Sequence, residues 1–156
     1  MMHNSYPLID LTEHFVAESN LIEGIHRAPL HAEVEASRHF LSLETITIPD
    51  LEAFVEVCQP GARLRDKVGL NVRVGSYLPP AGSKKIRTGL QSILDGMGNE
   101  TPFETHIKYE SLHPFTDGNG RSGRILWLWG MGGNSPLGFL HKFYYQTLDR
   151  VRVYAL

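Results

Sequence analysis

The chain has 156 residues, 42% of them hydrophobic and 21% charged, which is the size and balance of one soluble domain with a real core. A formal charge of −2 gives neither the basic footprint of a nucleic-acid binder nor a polybasic membrane signal. The single cysteine, Cys58, excludes an intrachain disulfide and a cysteine-built zinc site. Residues Met1 to Ile9 lack the charged start and apolar run of a signal peptide, and no apolar stretch is long enough to span a bilayer. A cytoplasmic protein is therefore expected. The eight histidines are scattered, without HExxH or comparable metal spacing.

Leu8 to about Ile25 carries the first helical pattern, with Leu8, Leu11, Phe15, Leu21, Ile22 and Ile25 mostly at helical spacing. Pro29 suits a helix start, and Ala32 to Leu43 continues as a helix with Val34, Phe40, Leu41 and Leu43 on its buried side. Thr47-Ile48-Pro49-Asp50 opens another, followed by Leu51, Phe54, Val55 and Cys58; Pro60 and Gly61 close it. Cys58 follows this apolar run and reads as a small buried hydrophobe. Arg63 to Pro80 breaks the helical rhythm. Asn71-Val72-Arg73-Val74 alternates like a short strand, Gly75-Ser76 can turn it, and Tyr77-Leu78 can return before Pro79-Pro80 stops the pairing.

Lys84 to Met97 is helical, with Ile86, Leu90, Ile93, Leu94 and Met97 on one side. Thr101-Pro102-Phe103-Glu104 is a capped helix start, and that helix runs to about Leu112 and delivers His113 at its end. A further helix begins near Arg121, and Ile125 to Met131 is apolar enough to lie in the core. Trp127 and Trp129 are two apart and cannot share one helical face. Ser135-Pro136 starts a last helix bearing Phe139, Leu140, Phe143, Tyr144 and Leu148.

The chemistry concentrates in His113-Pro-Phe-Thr-Asp-Gly-Asn-Gly-Arg-Ser-Gly-Arg124. A Gly-rich turn opening a helix is an anion site, because unpaired N–H groups and the positive helix end meet there. Arg121 and Arg124, three apart, share a helical face and can meet one anion. Asp117 is a hard oxygen donor suited to Mg²⁺, which takes one or two carboxylates plus substrate phosphates. His113 is a candidate proton acceptor. The stretch thus points to a polyphosphate, its metal and a base.

This stretch resembles the signature of the Fic family, His-Pro-Phe-x-Asp/Glu-Gly-Asn-Gly-Arg-x-x-Arg, with every fixed position matched. Ser19-Asn20-Leu21-Ile22-Glu23-Gly24 resembles that family's inhibitory motif, Ser/Thr-x-x-x-Glu-Gly/Asn. Residues 71–78 resemble its flap, a small β-hairpin beside the active site whose edge could hold a target segment by main-chain bonds. The resemblance implies one mainly α Fic domain over 1–156: a compact helical bundle with an inhibitory helix at about 8–26, a flap at about 70–80 and the signature at 113–124. It implies a protein adenylyltransferase, moving AMP from ATP to a Ser, Thr or Tyr hydroxyl of a target protein.

In that implied scheme His113 is the base and Asp117 holds Mg²⁺. Gly118, Asn119, Gly120, Arg121 and Arg124 bind the nucleotide. Tyr144 and Tyr145 lie where such proteins often line the adenine pocket. Val72, Arg73, Val74 and Gly75 dock the target. Ser19, Glu23 and Gly24 form the inhibitory motif, with Glu23 paired to Arg124. ATP and Mg²⁺ are the implied co-substrate and metal. The target protein is unidentified, no nucleic-acid or membrane partner is expected, and self-association stays open. Transfer of phosphate or phosphocholine, removal of AMP, and a non-catalytic nucleotide-regulated binding module are the alternatives. The phosphate-transferring type carries Ala-Asn-Lys-Arg where this chain has Gly-Asn-Gly-Arg, which favours AMP.

Overall fold

A computed structural model describes residues 11–133. Six helices form this part: α1 (Leu11–Ile22), α2 (His31–Ser42), α3 (Ile48–Cys58), α4 (Lys84–Gly96), α5 (Pro102–Leu112) and α6 (Asn119–Gly130). The fold is mainly α, as the pattern of the sequence requires. Tyr144, Tyr145 and the helix expected after Ser135-Pro136 lie outside the described residues.

The helix starts follow local chemistry. Thr101 accepts from the Glu104 N–H at 3.2 Å, and Glu104 accepts from the Thr101 N–H at 2.9 Å. Thr47 and Asp50 repeat the exchange at α3, and Ser83 accepts from Lys85 at α4. Each such cap contributes about 1 kcal/mol. Pro49 and Pro102 sit in first turns, where a missing N–H costs nothing.

Helix α6 is the hub and packs against α1, α2, α3 and α5. Nine of its twelve residues are buried, so it has no solvated face to orient it. Leu51, Val55, Leu90, Phe115, Ile125 and Leu126 are almost wholly covered and centre the core. Gly123 sets how closely α5 approaches: a Cβ there would lie 2.1 Å from Glu110 Oε1. The two tryptophans part as their spacing demands. Trp127 stacks on His106 at 5.1 Å, and Trp129 donates its indole N–H to Leu43 O at 2.8 Å. None of these helices is long and apolar enough to cross a membrane.

Two expectations change in detail. The first helix ends at Ile22, not near Ile25. Ile25 N–H donates to Asn20 O and Gly24 N–H to Leu21 O, both at 3.0 Å, with Gly24 at φ 74°. This pair of bonds, with a left-handed glycine, is a Schellman stop. Glu23 is therefore the capping residue just past the helix. The expected flap hairpin also shrinks. Val74 and Tyr77 exchange bonds of 3.0 and 2.9 Å around Gly75-Ser76, and this single antiparallel bridge is all the pairing in residues 71–78. Asn71 is taken up elsewhere, accepting the Gly82 N–H at 2.9 Å.

Candidate active site

The stretch between α5 and α6 is built from its own backbone needs. His113 caps α5 with φ 51° and ψ 63°, the only non-glycine residue with positive φ among those described. Such a conformation costs a bulky residue on the order of 1 kcal/mol and persists only where neighbours over-determine it. Phe115 is wholly buried and pairs in an antiparallel bridge with Leu64. Thr116 N–H donates to Arg63 O at 2.9 Å, and the Thr116 hydroxyl accepts from the Arg63 N–H at 3.0 Å. Gly118, at φ 76°, turns the chain into α6 without a side-chain cap.

That turn leaves the first N–H groups of α6 without partners from their own helix. They border a cleft of about 600 Å³, large enough for a nucleotide-sized ligand. His113, Asp117, Gly118, Asn119, Gly120 and Arg121 line one side of it. Val72, Arg73 and Val74 supply the flap wall; Glu23 and Ile25, from the cap of α1, supply another. Gly75, at φ 58°, forms the flap turn and is not part of the lining.

Asn119 has a different part from the one its position suggested. Its side chain brackets Phe115, Oδ1 accepting from the N–H and Nδ2 donating to the carbonyl, both at 2.8 Å. That side chain fixes the loop, and only its backbone N–H is left to face an anion. Asp117 accepts from its neighbour Gly118 N–H at 2.7 Å through Oδ1. Among the described residues Oδ2 has no hydrogen-bond partner, and no group of three His, Cys, Asp or Glu there could hold a metal. Asp117 thus fits Mg²⁺ only in the manner that completes its shell with phosphate oxygens and water.

The two arginines are held differently. Arg121 donates to Gln59 Oε1 at 2.9 Å and lies 3.8 Å from Glu33 Oε1, while its buried Nε has no partner. Arg124 is almost wholly buried. Its Nε donates to Ser19 Oγ at 2.8 Å, and Nη2 donates to Ser19 O at 3.0 Å and to Glu23 Oε1 at 2.5 Å. Arg124 does not reach the lining, so its nearest neighbour in the cleft wall is the Glu23 carboxylate. Ser19 and Glu23 thus both meet Arg124, and Gly24 acts only through the turn.

The chain belongs to the Fic/DOC family. The family profile matches residues 37–129, which includes the whole of 113–124. The match begins within α2 and leaves out α1 with its Ser19 and Glu23. Membership of the Fic/DOC family supports a transferase role in general terms.

Residues with no motif complete the Fic site. Glu33 is buried and accepts from Arg27 at 2.8 and 3.1 Å, from Leu30 N–H at 2.9 Å and from Asn20 Nδ2 at 3.1 Å. The Arg27 guanidinium, helped by these N–H groups, holds its carboxyl down at about 2. Its sequence signal was its place three residues after Leu30, the capping position of α2. Gln59 gave no signal. Arg65 gave none either, although its side chain is fully buried; burial pulls its guanidinium below its ordinary value. Burial also pushes the Cys58 thiol up to about 11, so it is no nucleophile at neutral pH.

Proposed function

We propose that this Fic protein transfers AMP from ATP to a Ser, Thr or Tyr hydroxyl of a target protein, and that Glu23 restrains it. The observation that carries the reading is the cleft shared by His113, Asp117 and the open N-terminus of α6, beside a second arginine already engaged by a carboxylate.

A protein hydroxyl is a weak nucleophile at neutral pH and needs a base. His113 would accept its proton as the oxygen attacks the α-phosphorus. The bond from that phosphorus to the bridging oxygen breaks, and pyrophosphate leaves with the electron pair. The N–H groups of Asn119, Gly120 and Arg121 and the Arg121 guanidinium would hold the phosphate oxygens, as positioning and electrostatics. Asp117 would hold Mg²⁺, which when bound offsets phosphate charge. Val72, Arg73 and Val74 would align the target segment. His113 must be neutral to accept the proton.

Glu23 bears on the productive pose. Arg124 is the guanidinium that would meet the γ-phosphate, and the Glu23 carboxylate engages it. Glu23→Gly removes that carboxylate while Ser19 still holds Arg124. The expected result is higher incorporation of labelled AMP, into the protein itself or into a target in lysate. Equal labelling of wild type and Glu23→Gly defeats the restraint. His113→Ala in the Glu23→Gly background should lower labelling by about 10²–10⁴-fold, the usual worth of a positioned base. Labelling that survives this change removes His113 from the chemistry. Intact-protein mass spectrometry identifies the added group, and a mass other than AMP reassigns the donor.

A further inference from the structure

Arg65 lies outside the cleft and outside the 113–124 stretch, yet with Arg124 it is one of the two largest fully buried side chains described. No carboxylate pairs with it among the described residues. Among the described residues every hydrogen bond of its guanidinium goes to a backbone carbonyl. Nε donates to His113 O at 2.7 Å and Nη2 to Leu112 O at 2.9 Å. Nη1 donates to Leu70 O at 3.1 Å and to Pro80 O at 2.9 Å, one on each stem of the flap. The Arg65 backbone N–H donates to Pro114 O at 2.8 Å, and Tyr77 Oη donates to Ser111 O at 2.6 Å. Four successive carbonyls, 111 to 114, are therefore satisfied by Arg65 and Tyr77. The first three are carbonyls that a helix end leaves open, and one of them belongs to the strained His113 itself.

We propose that Arg65, seconded by Tyr77, is a positioning residue for His113, fastening the left-handed backbone of the histidine to both stems of the flap. The surface that would align the target and the base that would deprotonate it then form one rigid body. This matters because a base must lie within hydrogen-bond reach of its proton, and a misplacement of about 1 Å costs on the order of 100-fold in rate. A lysine cannot replace the fork, since one ammonium cannot reach carbonyls on three sides. The kinetic arm of the test rests on the AMP-transfer reading; the spectroscopic arm does not.

The experiment compares Arg65→Lys and Tyr77→Phe in the Glu23→Gly background. Three quantities are read: affinity for a non-hydrolysable ATP analogue, AMP incorporation at saturating ATP, and the imidazole resonances of His113 in ¹⁵N-labelled protein, assigned by their loss in His113→Ala. Arg65→Lys should keep analogue affinity within about threefold, lower the saturating rate by about 100-fold and shift the His113 resonances. Tyr77→Phe, which removes one of the fastening bonds, should do the same by about tenfold. A folded Arg65→Lys with unchanged rate and unmoved resonances overturns the proposal. So does a loss of analogue affinity as large as the loss of rate, which marks a merely structural role. If Glu23→Gly with Arg65 intact transfers no AMP, the transfer reading fails and the His113 resonances alone decide the positioning. If Arg65→Lys does not fold, Tyr77→Phe decides by the same readings.

Discussion

A Cβ at position 120 would lie 2.2 Å from Glu23 Oε1 and 3.0 Å from Arg124 Nη1. Gly120 is thus required for contact, and its backbone needs no positive φ. Alanine is the better helix former, so Gly120→Ala gains intrinsic propensity. The added methyl must nevertheless push the partly exposed Glu23 carboxylate off Arg124, so the change should cost on the order of 1 kcal/mol, read as a lower denaturation midpoint. The same change made in Glu23→Gly should cost clearly less, because the atom it strikes is gone. Additive costs in the double variant would show that Glu23 does not lie over Gly120 in solution.

At the level of elements, α1 is held by two separate clasps. Ser19 and Glu23 bind Arg124 on α6, while Asn20 reaches Glu33 on α2, which Arg27 also grips. The second clasp depends on acid. Glu33 is held at about 2, below the 4.5 of an ordinary glutamate, so folding favours its ionised form. Its contribution is fully present above pH 4.5 and is lost as pH falls through about 2. Screening at the half-exposed Arg27 leaves this at on the order of 1–2 kcal/mol. Wild type should therefore lose more thermal stability between pH 5 and pH 3 than Glu33→Gln does. Parallel losses in the two proteins would remove Glu33 from the acid response.

Taken whole, the molecule brings the cleft together from the cap of α1, the flap, the 113–118 loop and the start of α6. A ligand there ties distant parts of the chain and stabilises the folded state by mass action, about 2.7 kcal/mol at 100 times its Kd. With Glu23 on Arg124, part of that site is already engaged. ATP with Mg²⁺ should therefore raise the melting temperature of Glu23→Gly more than that of wild type. Equal shifts at matched nucleotide concentrations would mean that Glu23 does not compete with the phosphates.

The sequence by itself determined the helices among residues 11–133, to within a few residues at their ends, and it singled out 113–124. Caps, proline positions and apolar spacing are local signals, and a twelve-residue stretch of fixed chemistry needs no distant partner to be read. It also marked Glu23, though not its place: whether a glutamate ends a helix or rides on it depends on two bonds across Gly24. Only the tertiary structure decided that the Asn119 side chain serves Phe115, that Gly120 makes room for Glu23, and that a lone arginine in an irregular segment fastens His113. Asn119 and Phe115 are only four apart, but the other contacts depend on which carbonyls and carboxylates meet across 48 to 101 residues of sequence. Such meetings are set by the packing of α1, α5 and the flap around α6, and a charged side chain in a loop carries no pattern that announces its burial.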